Sequence, residues 1–145
     1  MSKVWKRPES VLVVIYTVAG EVLLLERQQP PGYWQSVTGS LEWGEAAREA
    51  AAREVEEETG MRVQDQLVDC EYRNRFRIHP AWRSRYSPDV GWNIEHVFRV
   101  ELAGIVPIQI NEAEHRQAIW VSAREAATQV SSHTNRTAIE RCLSC

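Results

Sequence analysis

Apolar runs and turn residues alternate along the N-terminal part of the chain. Ser10–Tyr16 and Glu21–Glu26 are apolar runs, and an Ala-Gly pair between them supplies a turn. Together they predict a β-hairpin of largely buried strands. Consecutive prolines in Gln28–Gly32 predict a loop, because proline neither donates to a strand ladder nor extends a helix. Trp34–Thr38 then predicts a short strand that leads into Gly39.

Glu45–Glu58 is the strongest helical segment. It is rich in alanine and other good helix formers and contains no proline. Gly60 follows at a position where helices often end in a left-handed residue. We therefore expect a helix in the middle of the chain.

Alternating polar and apolar residues dominate the next part. Leu67–Ile78 predicts a long strand, and Ile94–Leu102 predicts another. Between them, His79–Trp92 contains prolines and has no period, which predicts a loop or local excursion. One face of the first strand carries Cys70, Tyr72, Phe76 and Ile78. The opposite face is strongly positive and carries Arg73, Arg75 and Arg77.

The C-terminal part predicts one short strand and two helices. Trp120 and Val121 end the strand, and Ser122–Glu125 forms a capping box that opens a helix. Ser132 is placed to cap a second helix. Strands with one central and two terminal helices predict a layered α+β domain. We assign residues 1–145 to this single domain.

Composition and charge restrict the classes of function. The chain has 145 residues, of which 43% are hydrophobic, so one domain can bury a sizeable core. Its 17 basic and 20 acidic residues give a net charge of −3, which disfavours nucleic-acid binding through a broad positive field. No apolar run reaches the length of a membrane span, and no secretion signal opens the chain. We expect a cytoplasmic protein that binds neither nucleic acid nor membranes.

The cysteines do not predict a disulfide framework. Cys70, Cys142 and Cys145 make an odd count in a chain without a secretion signal. Cys142 and Cys145 form a CxxC pair, which we interpret as incidental because no second pair accompanies it.

Three acidic residues share one arc of the predicted helix. Glu54, Glu57 and Glu58 lie within that arc, close to the helix C-terminus. Each like-charge pair costs about 0.2–0.5 kcal/mol, and the macrodipole there favours cations by about 0.3–1 kcal/mol. A bound cation would offset these costs, and hard oxygen ligands favour Mg²⁺, with Mn²⁺ as a substitute.

The spacing around this arc resembles the Nudix box. Gly39, Glu45 and the run from Arg53 to Met61 match the pattern G-x5-E-x7-R-E-U-x-E-E-x-G-U at every defined position, where U is apolar. The resemblance implies the Nudix fold, an α/β/α sandwich around a mixed sheet. It also implies divalent-metal-dependent hydrolysis of a diphosphate linked to another group.

Segments outside the box resemble one group within that family, the dihydroneopterin triphosphate pyrophosphatases of folate biosynthesis. The matching segments include Lys6–Pro8, Trp34–Ser40, Arg83–Tyr86, Ala113–His115 and Ser132–Arg136. The resemblance implies conversion of 7,8-dihydroneopterin 3′-triphosphate to the monophosphate and pyrophosphate. It weakens over residues 79–92.

The resemblance also implies roles for the acidic residues. Glu54 and Glu58 correspond to the principal metal ligands, and Glu57 to a further ligand or a water-activating base. Glu114 corresponds to an additional ligand and is the alternative base. The carbonyl of Gly39 corresponds to one that faces the metal.

Basic and polar residues complete the predicted site. Arg53, four residues before Glu57, can pair with it and fix its rotamer, whereas we interpret Glu45 as structural because it opens the helix. The positions that the resemblance aligns with substrate contacts are Lys6, Arg27, Thr38, Phe76, Arg77, Ile78, His79 and Ser132.

Two alternative functions stay open. A nucleoside triphosphate pyrophosphatase of the mutator or housecleaning type would use the same chemistry, and pterin and guanine present similar edges. A non-catalytic ligand-binding protein on this fold usually loses box carboxylates, whereas this sequence keeps them. In each case the partner is a small molecule, and the protein would be a monomer or homodimer.

Overall fold

Seven strands and three α-helices make up the fold in the computed structural model, which describes residues 4–143. The elements in chain order are β1 (Glu9–Thr17), β2 (Glu21–Arg27), β3 (Trp34–Gln35), β4 (Val37–Ser40), α1 (Ala47–Thr59), β5 (Leu67–Arg77), a 3₁₀ helix (Pro80–Arg85), β6 (Trp92–Leu102), β7 (His115–Ser122), α2 (Ala123–Gln129) and α3 (His133–Leu143).

Most predicted elements are confirmed, and the differences lie at their edges. The strand predicted at Trp34–Thr38 is two strands separated at Ser36. The last strand begins at His115, several residues before the Trp-Val pair that predicted its end. The segment 79–92 contains a 3₁₀ helix. His79 caps the start of this helix, where its side chain accepts a hydrogen bond from Ala81 N.

The sheet is mixed and divides near β1. β1 pairs in parallel with β6, whereas its other pairs are antiparallel. β2 contacts β1 near Tyr16, and β4 pairs with β1 from Ser10 to Val13. Further along, β2 pairs instead with β3 and β7. The chain from β3 to β4 therefore crosses between two parts of the sheet, with Ser36 buried at the crossing.

Helices cover both faces of this sheet. On one face, Ala50, Ala51 and Val55 of α1 are fully buried against Val11 and Val13 of β1. The alanines have small side chains, so the helix approaches the strands closely. α2 and α3 cover the other face, with the core residues Leu12, Val14, Ala126, Ala138 and Ile139. The predicted α/β/α sandwich is confirmed, and we call these the α1 face and the α3 face.

β5 contains a β-bulge but keeps the alternation of its two faces. Glu71 has φ 59°, and the register with β6 shifts between Asp69 and Arg73. Leu67 packs in the α1-face core, whereas Cys70 and Tyr72, at odd spacing from it, pack against the α3-face core. The arginine face is exposed as predicted.

Two cysteines far apart in the sequence lie close together on the α3 face. The Sγ atoms of Cys70 and Cys142 are 3.4 Å apart. The other half of the CxxC pair, Cys145, lies outside the described residues. None of the helices within residues 4–143 has the length and apolarity needed to cross a membrane.

Candidate active site

The last turns of α1 present the three acidic residues to one edge of the α1 face. Gly60, with φ 80°, adopts the left-handed conformation that ends the helix. Glu58 is 1% exposed, and Glu54 is half-buried. The side chain of Glu57 is 54% exposed, so it lies on the rim of the arc. The structure thus brings two of the three carboxylates inside and leaves the third at the solvent boundary.

Glu54 and Glu58 form a coupled acidic pair. Their carboxyl groups share a hydrogen bond, and burial followed by the neighbouring Glu54 raises the pKa of Glu58 well above its usual range. Burial also raises the pKa of Glu54, against the lowering effects of Glu58 and Arg53. Oε1 of Glu58 is buried and accepts no hydrogen bond from the described residues. A divalent cation would satisfy this oxygen and neutralise the pair.

Gly39 on β4 lies directly against Glu54. A Cβ atom at residue 39 would overlap all three atoms of the Glu54 carboxyl group. The absence of a side chain therefore lets the carboxylate rest on the backbone of β4. This contact explains why the sequence needs glycine here, independently of backbone conformation.

Arg53 connects the helix to the loop before it. Its Nε and Nη2 atoms donate to the two carboxylate oxygens of Glu45, each at 2.8 Å, and Nη2 also donates to the Ser40 carbonyl. Nη1 contacts Glu54 at 2.8 Å but Glu57 only at 3.4 Å. The predicted pairing of Arg53 with Glu57 is therefore present, but its shorter contacts are to Glu45 and Glu54. Because α1 begins at Ala47, Glu45 lies in the preceding loop and folds back onto the guanidinium.

Basic residues approach the acidic pair from neighbouring segments. The pKa of Lys6 is lowered by burial and then by Arg85, while Glu54 acts in the opposite direction and Arg27 adds to the lowering. Arg27 ends β2 and lies over the Tyr33 ring. Lys6 and Arg27 thus provide positive charge beside a buried acidic pair, which suits a polyanionic ligand.

Glu114 approaches the pair from the loop before β7. Gln28 N donates to the Glu114 carbonyl, which ties that loop to the end of β2. The Glu114 charge contributes to the raised pKa of Glu58. The predicted acidic set therefore converges on one region, although its members come from separate parts of the chain.

The other predicted substrate residues lie on neighbouring surfaces. Thr38 pairs with Leu12 and so faces the α3 side. Ser132 caps α3, because its hydroxyl accepts from Asn135 N. Phe76 is half-buried on β5 and Ile78 is 6% exposed after it. Arg77 is placed differently, with its guanidinium over the Trp92 ring, and His79 caps the 3₁₀ helix.

His115 is a site residue that the sequence analysis missed. It is 3% exposed, and its Nε2 lies 3.5 Å from Oε1 of Glu58. Burial and then Arg27 lower the pKa of His115, so the neutral ring is favoured. Its Nδ1 has no hydrogen-bond partner among the described residues. The register of β7 with β2, which places His115 opposite Arg27, brings it to the site.

The donor set fits a hard divalent cation, although its members must move to bind one. Within residues 4–143, no three His, Cys, Asp or Glu side chains are grouped closely enough to bind a metal as they stand. Glu54 and Glu58 already adjoin, and exposed Glu57 is free to rotate. Carboxylate and carbonyl oxygens are the ligands that Mg²⁺ and Mn²⁺ prefer.

Comparisons with known proteins agree with this geometry. Residues 6–142 match the family described as NUDIX domain. The chain is 45% identical to dihydroneopterin triphosphate diphosphatase of Escherichia coli, over 96% of this chain and 94% of that protein. It is 38% identical to the Haemophilus influenzae protein of the same name, over 96% and 89% respectively.

A solved structure extends the similarity to three dimensions. The E. coli dihydroneopterin triphosphate pyrophosphohydrolase superposes with a TM-score of 0.85 at 43% identity. The match covers 96% of this chain and 97% of that one. The similarity therefore includes all elements that build the candidate site.

Proposed function

Since the chain belongs to the NUDIX family, we propose that it is a hydrolase that converts 7,8-dihydroneopterin 3′-triphosphate to the monophosphate and pyrophosphate. The observation that carries the proposal is the buried Glu54–Glu58 pair with Lys6 and Arg27 beside it. This arrangement suits a triphosphate bound with a cation. The similarity to two dihydroneopterin triphosphate diphosphatases supports the choice of substrate.

We propose that Glu54, Glu58 and the Gly39 carbonyl hold Mg²⁺, with Glu57 and Glu114 as further ligands. A bound Mg²⁺ ion would supply positive charge to phosphate oxygens and make water more acidic. Mn²⁺ would serve the same purpose because it prefers the same oxygen ligands.

The protein's own groups bind and orient the substrate. Lys6 and Arg27 would neutralise phosphate oxygens, and their local charge compensates for the net negative charge of the chain. Arg53 keeps Glu54 in position through the 2.8 Å contact. Attack on phosphorus requires a group that accepts a proton from water, and Glu57 and Glu114 are the two candidates. Glu57 has the advantage of an exposed carboxylate that can rotate.

The remaining predicted contacts serve the pterin end. Thr38, Ser132 and Phe76 lie on the α3 side, and Phe76 offers a ring on which a flat pterin can stack. Ile78 and His79 follow Phe76 and would border the ring, whereas Arg77 would contribute charge at the rim.

Steady-state kinetics with a panel of triphosphates tests the proposal. Pyrophosphate release is measured with Mg²⁺ for dihydroneopterin triphosphate and for each nucleoside triphosphate. We expect the highest kcat/KM for the pterin substrate and lower activity on nucleotides. A clear preference for a nucleotide would favour the mutator-type alternative, and no pyrophosphate release from any substrate would favour a non-catalytic ligand-binding protein.

Turnover in ¹⁸O water identifies the point of attack. Label in the monophosphate means that water attacked the phosphorus next to the pterin side chain, whereas label in pyrophosphate means attack on the next phosphorus. Products other than monophosphate and pyrophosphate would contradict the proposed reaction.

A further inference from the structure

Glu95 is a buried carboxylate that the proposed hydrolysis does not use. It lies on β6 and is 5% exposed. In the sheet register it stands beside Ser10 of β1 and Asn74 of β5. Because paired residues share a face, and Leu12 after Ser10 packs in the α3-face core, Glu95 faces the α3 side. It thus lies on the face covered by α2 and α3 and does not belong to the acidic pair of α1.

The partners of Glu95 are neutral. Asn74 Nδ2 donates to Oε1 at 2.9 Å, and the Thr134 hydroxyl also bonds to the carboxyl group. Burial raises the pKa of Glu95, and no cation among the described residues acts against that effect. A buried carboxylate without a cationic partner is costly for folding. Buried carboxylates with perturbed pKa values cluster at functional sites, where their oxygens can accept hydrogen bonds from a ligand.

Further polar groups extend the same surface. Asn93, two residues before Glu95, is 3% exposed and donates to Ser10 Oγ at 2.8 Å. Phe76 stands opposite Asn93 in the register and is half-buried. At the other end, Thr38 shares this face through its pairing with Leu12. These side chains form a polar floor with one aromatic ring, next to the N-terminus of α3.

We propose that Glu95 recognises the 2-amino-4-oxopyrimidine edge of the substrate, the hydrogen-bonding edge that pterin and guanine share. The inference rests on the proposed function and specifies how that site selects its ring. The ring N–H and the 2-amino group would donate to the two carboxylate oxygens, in a charge-assisted bidentate pair. Phe76 would stack on the ring, as the arrangement of neighbouring strands allows.

A carboxylate at residue 95 should distinguish pterin and guanine from adenine. Adenine presents a ring-nitrogen acceptor where guanine presents a donor, and it lacks the 2-amino group. A carboxylate therefore favours pterin and guanine and disfavours adenine. Glutamine is isosteric with Glu95 but offers one oxygen and one donor group, so it would lose the bidentate pair.

The test compares wild type, Glu95→Gln and the control Glu101→Gln. Glu101 lies on the same strand and is exposed, so its change removes one negative charge without touching the floor. The measurement is kcat/KM for dihydroneopterin triphosphate, GTP and ATP. We expect Glu95→Gln to lower the values for the pterin substrate and GTP by about 100-fold or more while the value for ATP falls little. The control should match wild type on all three substrates.

A purely structural role gives a different pattern. An equal fall on all three substrates, or no fall on any, would overturn the proposal. If wild type fails to cleave dihydroneopterin triphosphate, the proposed function is wrong, but the GTP-to-ATP comparison still tests Glu95.

Binding to the wild-type protein covers the case in which Glu95→Gln does not fold. Fluorescence titration compares pterin with lumazine, in which an oxo group replaces the 2-amino group. We expect lumazine to bind about 100-fold more weakly, since its oxygen would face the carboxylate. Equal affinity for the two rings would contradict the inference.

Discussion

Replacing Gly39 with alanine places a single methyl group against the acidic pair. The new Cβ would overlap the Glu54 carboxyl group, which rests on the backbone of β4. Only the far end of the Glu54 side chain obstructs it, so rotation of that side chain relieves the overlap. The fold should therefore survive, with a loss of about 1–3 kcal/mol at most. For a domain of this size that loss lowers Tm by roughly 2–10 °C.

The effect on activity should be larger than the effect on stability. Rotation breaks the 2.8 Å ion pair between Glu54 and Arg53 and moves the carboxylate away from Glu58. A displacement of about 1 Å at a site of chemistry costs on the order of 100-fold in rate. We expect kcat of Gly39→Ala to fall by about that factor or more, with a higher Mg²⁺ requirement.

The assay is pyrophosphate release, followed with a coupled phosphate detection over a range of Mg²⁺ concentrations. Thermal unfolding of each variant shows whether the protein remains folded. Gly104→Ala is the matched control, because no described atom lies within 4 Å of its added Cβ. A kcat of Gly39→Ala within about threefold of wild type would show that the Glu54 carboxylate need not rest on the backbone of β4.

Three further substitutions test other parts of the site. Glu58→Gln should lower kcat by about 10²–10⁴-fold, and near-full turnover would remove Glu58 from the mechanism. Because burial raises the pKa of Glu58, metal-free wild type loses stability as pH rises above about 4.3. Glu58→Gln should therefore raise the free energy of unfolding at pH 7 by about 1–4 kcal/mol over wild type, measured with urea. An equal gain at acid pH would contradict this explanation. Arg53→Lys should lower the free energy of unfolding by about 1–3 kcal/mol, because lysine cannot make the two-point contact with Glu45. In the control Arg62→Lys, at an exposed residue, the loss should be under about 0.5 kcal/mol. Equal losses in the two variants would contradict the importance of the Glu45 contact. Burial lowers the pKa of Lys6, so kcat/KM should begin to fall at a pH below the pKa of an ordinary lysine. Lys6→Arg should remove this alkaline limb of the pH profile. Persistence of the limb in that variant would assign it to another group.

Local sequence signals predicted the parts of the site that are close together in the chain. The period of α1 placed Glu54 and Glu58 on one arc, and Gly60 marked the end of the helix. Gly39 was found through the resemblance to the Nudix box, in which it has a fixed spacing from the helix. These features depend on helical geometry and on residue spacing, which the sequence displays directly.

Features that depend on strand register were not predictable in the same way. His115 reaches Glu58 because β7 pairs with β2 along most of its length. Cys70 meets Cys142 because the predicted apolar face of β5 packs against α3, and the sequence does not show which helix covers that face. Neither contact has a local signal in the sequence, because each joins segments that are far apart in the chain and depends on how the strands pair.

Arg53 has a closer partner that helical spacing does not reveal. The helical spacing made Glu57 the expected partner, and that contact does form at 3.4 Å. Glu45 competes better because it lies outside the helix and can meet the guanidinium in a two-point contact.

Strand β4 is only four residues long, yet it serves both helical layers. Gly39 lies against Glu54 on one side, while Thr38 and Ser40 are turned to the other through their pairing with Leu12 and Ser10. Substitutions on the far side can therefore accumulate without disturbing the apparatus that cleaves the phosphate chain. With the ring bound on that side as proposed, a lineage with this architecture can acquire new nucleobase or pteridine preferences there, and a protein engineer can exploit the same independence.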